Sequence, residues 1–403
     1  MKGNVKFRKI LGTFCFIISA ACVTGCGNPG SKEYKQAVSY MEEGSYNEAA
    51  ELMKQAVSLD QGNKKYAVGY GNALMMMADY DNAREVFLGA VKNSRGKESK
   101  KVNKQAYRGI AMTYYESGIY DQAKAYFKLA LDANVLSDMD NDLSAYYANC
   151  ELMMNDYEGA AKSFSKLIDK NDKTKATVKA KYYIGRGNAY LMMENFATAL
   201  EDYDNAISED NDCYEAYLGR YFALMGTHDK DAADKTLDTA LGIKDRGKDS
   251  DYYKAVFYFY KSEYEKSLEL LQKSLDDGNK EAIYYIGRVY QAQNNINAAI
   301  DNYSTYLTAY PGRKNAEICN QMAGCYMAQE DYETAAVWLD DGIKVSGGSM
   351  KENLMYNRII VYERLGDYKS AKELADQYLE NYKNADITRE YEFIKTRYRE
   401  EKK

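Results

Sequence analysis

The chain has 403 residues, with 54 Lys and Arg against 60 Asp and Glu and a formal net charge of −6. That acidic balance disfavours a nucleic-acid partner, which would need clustered basic charge. A single histidine, His228, and cysteines without a CxxC pair argue against histidine chemistry and a structural zinc site. With no GxxxxGK[ST], no GxGxxG after a strand and no HExxH, no catalytic residue, cofactor or metal is expected.

In chain order, Lys2, Lys6, Arg8 and Lys9 form a basic leader before an apolar run at residues 10–23, short for a membrane span. Val23-Thr24-Gly25-Cys26 follows, and the stretch resembles a bacterial lipobox. The resemblance implies a lipoprotein signal peptide at 1–25 and lipidation (diacylglycerol and palmitate) of Cys26. It also implies a tether at 26–30 and attachment to the cell membrane on its extracytoplasmic face. Cys150, Cys213, Cys319 and Cys325 then remain, expected as free thiols packed as small apolar groups.

From residue 31 to 385 a size pattern recurs. Its anchors are Ala49, Ala83, Ala123, Ala160, Ala199, Ala233, Ser267, Ala299, Ala335 and Ala371, most often 34 residues apart. Twelve residues earlier stands a small residue in most copies, such as Ala37, Gly71, Ala111, Gly187 and Gly287; three residues earlier, an aromatic such as Tyr46, Tyr120 or Phe196. Four residues past the anchor comes a large apolar group, such as Phe87, Phe127 or Tyr203, and seven past it a second small one, such as Ala90. Spacings of four and seven describe one helical face, and small residues let paired helices approach closely. Gly44, Gly118 and Gly366 mark turns where a left-handed residue ends the first helix.

These residues resemble the tetratricopeptide repeat family. The resemblance implies an all-α fold, a right-handed α-solenoid of about ten helix pairs, and a protein-binding role. The sixth copy departs from the pattern, lacking the usual turn around residues 227–231. Residues 92–104, 170–180 and 226–250 are the irregular stretches. At 386–403 a capping helix is expected, with Ile387, Tyr391, Ile394 and Tyr398 on one stripe. The lysine pair by which some family members clamp a carboxylate is absent, with Val68, Ala145 and Ile184 in its place.

Two basic stretches, Lys92 to Lys104 and Lys173 to Lys181, read as solvated connectors, with contact to anionic lipid or wall polymer as the functional alternative. Asp138, Asp140 and Asp142 alternate as in a calcium loop but lack its glycine and its closing glutamate, and read as a helix cap.

Of 41 tyrosines, those three past the small residue, such as Tyr40 and Tyr114, are expected in the core. On the inner face of the first helices, Tyr34, Tyr115, Tyr252, Tyr260, Tyr284 and Tyr356, with Met75, Met76, Met153 and Met192 and the recurring Asn72, would form a groove for a protein or peptide. The expected function is a lipid-anchored, extracytoplasmic scaffold for protein–protein contacts. The alternative is a surface lipoprotein capturing carbohydrate or peptide ligands for uptake, which would need three or more exposed aromatics and carboxylates in one pocket. Partner identity and oligomeric state are not encoded legibly.

Overall fold

The computed structural model describes residues 28–94, 96–170, 174–244, 250–382 and 385–401. The leader and Cys26 lie outside the described residues. Contacts divide the chain into two compact units that meet at residues 189 and 190.

The first unit holds α1 (Ser31–Glu43), α2 (Tyr46–Leu59), α3 (Lys64–Met76), α4 (Tyr80–Ala90), α5 (Lys97–Glu116), α6 (Tyr120–Asp132), α7 (Asp140–Met153) and α8 (Tyr157–Asp169), and most of α9 (Ala176–Met192). The second holds α10 (Phe196–Glu209), α11 (Tyr214–Gly226), α12 (Lys230–Leu241), α13 (Ser250–Tyr260), α14 (Tyr264–Asp276), α15 (Ala282–Ala292) and α16 (Ile296–Ala309). After these come α17 (Ala316–Ala328), α18 (Tyr332–Val345), α19 (Gly348–Arg364), α20 (Tyr368–Asn381) and α21 (Ala385–Glu401). Two 3₁₀ turns, Ser137–Met139 and Pro311–Arg313, complete the described elements, among which there is no strand.

Each pair is built on one turn. Five residues before every anchor the backbone is left-handed: at Gly44, Gly118 and Gly366, but equally at Ala78, Asn155, Glu194, His228, Ser262, Asn294 and Glu330. The next N–H bonds back five positions, as from Ser45 to the Tyr40 carbonyl at 2.8 Å and from Asp229 to the Leu224 carbonyl at 3.0 Å. This closure satisfies carbonyls at the helix end. The donor residue then opens the second helix, and Asp156, Asn195, Asp229, Asn295, Asp331 and Asp367 accept the N–H three positions on. The sixth turn, expected to be irregular, is therefore the same turn, with His228 in the left-handed position and Lys230 where an aromatic usually stands.

The anchors are completely buried, as are the large groups four residues on, from Met53 through Phe127 and Tyr203 to Leu339. Ser267 fits because its hydroxyl donates to the Ala255 carbonyl at 2.8 Å. The large rings need glycine opposite. A Cβ on Gly71 or Gly109 would come within 2.6 Å and 2.5 Å of the Phe87 ring, so α3 and α5 close on that side chain from both sides. Burying each such ring contributes about 1.5–3 kcal/mol.

The basic stretch from Lys92 is corrected by the structure. From Lys97 it is the lengthened start of α5, and Asn103 of that helix pins the preceding chain, accepting the Lys92 N–H at 2.7 Å and donating to the Lys92 carbonyl at 2.8 Å. Lys104 is fully buried and pairs with Asp140, while Arg108 reaches Asp142 at 3.1 Å. Asp140 thus neutralises the one buried lysine of the basic stretch, because a charge leaves water only if paired. In the second stretch Lys179 and Lys181 lie within α9, and Lys173 is outside the described residues. At the other end, α21 buries Ile387 and Ile394 in a cluster with Ala371, Ala375 and Tyr378 of α20. No helix among the described residues is long and apolar enough to cross a membrane.

Candidate functional site

Of the residues expected on the first-helix face, two fall together. Tyr252 and Tyr260, both on α13 and half-buried, join a ring cluster with Tyr221 and Phe222 of α11, Phe259 of α13 and Tyr285 of α15. Tyr260 lies 5.3 Å from Tyr221, 5.0 Å from Phe222 and 5.1 Å from Phe259, and its hydroxyl is 3.5 Å from that of Tyr285. Tyr252 meets Tyr253 at 5.2 Å and Tyr285 at 5.9 Å, in edge-on contacts that aromatic quadrupoles favour.

Arg288 sits among these rings. Its guanidinium lies 4.7 Å from the Phe259 centroid, 5.9 Å from Tyr260 and 5.8 Å from Tyr285, and donates to Glu317 Oε1 at 3.4 Å. Burial works against the charge, but Tyr260, Tyr284, Glu317 and Tyr285 outweigh it and raise the Arg288 pKa further. The cation is therefore fixed, and its rings gain cation–π attraction. The sequence carried a signal for it: Arg288 follows the small residue Gly287 directly, the register filled elsewhere by Asn72, Asn149 and Asn188.

Tyr284 is corrected. It is fully buried, and its hydroxyl donates to Glu317 at 2.6 Å, so it orders the arginine's counter-ion and is closed to a partner. Met75 is likewise a core residue. Tyr34 packs on Tyr66 at 4.9 Å and over the Gly69 backbone, and Tyr115 meets Tyr120 and Tyr146 edge-on at 5.5 and 5.4 Å. Asn72, Met76, Met153, Met192 and Tyr356 are half-buried; Asn72 and Met76 share α3, and the others stand one each on α7, α9 and α19. The tyrosines three past the small residue, such as Tyr40 and Tyr114, are half-buried too, not enclosed as expected.

Reactive chemistry is scarce. Burial pushes the Cys319 thiol up to about 11 and Cys325 to about 12, and raises Cys150 and Cys213 as well, which suppresses the nucleophilic thiolate. Among the described residues no group of three His, Cys, Asp or Glu could hold a metal ion.

Family models described as tetratricopeptide repeat match residues 40–102, 108–174, and both 281–312 and 354–385. The chain carries tetratricopeptide repeats. A tetratricopeptide repeat protein from Parabacteroides merdae ATCC 43184 is similar in structure at a TM-score of 0.50 and 15% identity, covering 63% of this chain and 96% of that one. The Cut9–Hcn1 hetero-tetramer of APC/C gives a looser likeness, a TM-score of 0.42 at 12% identity over 91% of this chain and 96% of that one. No curated protein matches the chain significantly. In every tetratricopeptide pair of this chain the anchor is buried while the first-helix tyrosines range from enclosed to half-exposed, so variation lies on the surface that the repeat leaves free.

Proposed function

We propose that the chain is a non-catalytic scaffold that binds protein partners through its first helices and is held by lipid at the extracytoplasmic face of the cell membrane. The observation that carries the binding half is the half-buried pair Tyr252 and Tyr260 on α13, backed from beneath by the buried rings of Tyr221, Phe222 and Tyr285 around Arg288. Tyrosine supplies large, rigid contact area with a polar edge, the chemistry of energetic centres in protein interfaces, and the ring packing beneath holds the pair in place. Tetratricopeptide repeats and suppressed thiols support the non-catalytic half.

The anchoring half rests on the leader and on Cys26, since two acyl chains at about 0.8 kcal/mol per buried methylene hold a protein stably where one does not. Metabolic labelling with a palmitate analogue tests it: the wild-type chain is labelled and Cys26→Ala is not, and equal labelling of both removes the anchor. Ligand capture for uptake is the weaker reading: the pocket beside Glu363 and Glu390 presents two rings, Tyr368 and Phe393, one short of what that reading requires.

A further inference from the structure

Near the end of the second unit, Ile360, Glu363 and Arg364 of α19, Tyr368 of α20, and Glu390 and Phe393 of α21 line a pocket of about 340 Å³. Two helices thus bring one carboxyl group each to a single cavity. Glu363 Oε1 is shielded from solvent and receives no hydrogen bond from a donor. The other polar groups facing it are Arg364 from its own helix, which is exposed, and the Tyr368 phenol. Burial, then the charge of Glu390 and a hydrogen bond with it, push the Glu363 carboxyl up to about 8, and Arg364 acts in the opposite sense without cancelling them. The Glu363 carboxyl so placed keeps its proton to higher pH, because a second negative charge in one partly dry site would repel its own.

We propose that Glu363 and Glu390 form a proton-sensitive latch: the proton on Glu363 fastens the C-terminal helix α21 to α19, and its loss loosens that helix from the apolar face it covers on α20. The face in question includes Ala375 and Tyr378, buried with Ile387 and Ile394. The ordinary value for the Glu363 carboxyl is 4.5, and in the docked state it rises to about 8. Between those values the docked state binds more protons than the loosened one, so docking is strongest below about pH 4.5, weakens steadily up to about pH 8 and is level above that.

Hydrogen–deuterium exchange on the full chain, corrected for the pH dependence of intrinsic exchange, tests the latch at pH 5, 6.5, 8 and 9. Protection of amides in 387–398 is expected to fall at least about tenfold from pH 5 to pH 8 and then to level off, while α14 and α15 keep theirs. Glu363→Gln, which still donates to Glu390 but cannot ionise, is expected to flatten the profile, and Glu390→Gln to reduce its slope independently. A wild-type profile without slope, or variants that both keep the wild-type slope, would overturn the proposal.

Discussion

Arg288 and Glu317 keep side-chain exposures of 15% and 7%, so neither charge is solvated well enough to stand alone. Arg288→Met is expected to destabilise the second unit by about 3 kcal/mol, because it strands Glu317 in a low-dielectric site. Adding Glu317→Gln should recover more than half of that, since the amide oxygen still accepts from Tyr284; denaturant titration of the two variants reads the difference, and no recovery would mean that ring packing, not charge pairing, holds the site. The pattern of residue sizes was plain in the sequence, because one small residue in each helix is a local necessity. Tyr252 and Tyr284 show where that reading stopped. Both stand three residues before the small residue of their helix, yet Tyr252 is half-buried whereas Tyr284 is enclosed, its hydroxyl donating to Glu317 of the following pair. Burial there depends on a neighbour about one repeat away.

Turns carry the element scale. Seven of the left-handed positions hold residues with a side chain, each accepting backbone strain that glycine avoids. Glu330→Gly is therefore expected to raise stability by about 0.5–1 kcal/mol, and Gly118→Ala to lower it by about 1 kcal/mol, both read from thermal melts. Opposite signs would mean that the turn is not the closure described. Glycine was the legible signal, found at three turns, whereas His228 and Glu330 reach the same conformation because the five-position bond and the Asp cap impose it. The lengthening of α5 was hidden for a similar reason: the basic residues look like a connector until Asp140 is known to face Lys104 and Asp142 to face Arg108.

Within each unit, stability accumulates from pair to pair, so local damage spreads to neighbours first. Phe127→Ala removes a fully buried ring that stacks on Tyr146 of α7 at 5.4 Å, and is expected to cost about 3–5 kcal/mol. Exchange protection should fall first in α5 to α8; uniform loss throughout residues 28–189 would describe a single cooperative core instead. The lipid anchor is a different kind of statement, legible only as a sequence of charge, apolar run and cysteine at residues 1–26.

The central claim is that partners are bound on the first-helix face of the tetratricopeptide pairs. Site-specific photo-crosslinking in intact cells, with the crosslinker placed in turn at Tyr252 and Tyr260 on α13 and at the exposed Val337 on α18, tests it most directly. The same discrete protein adducts from both α13 positions, absent from Val337, are predicted; adducts from Val337 alone would contradict the account.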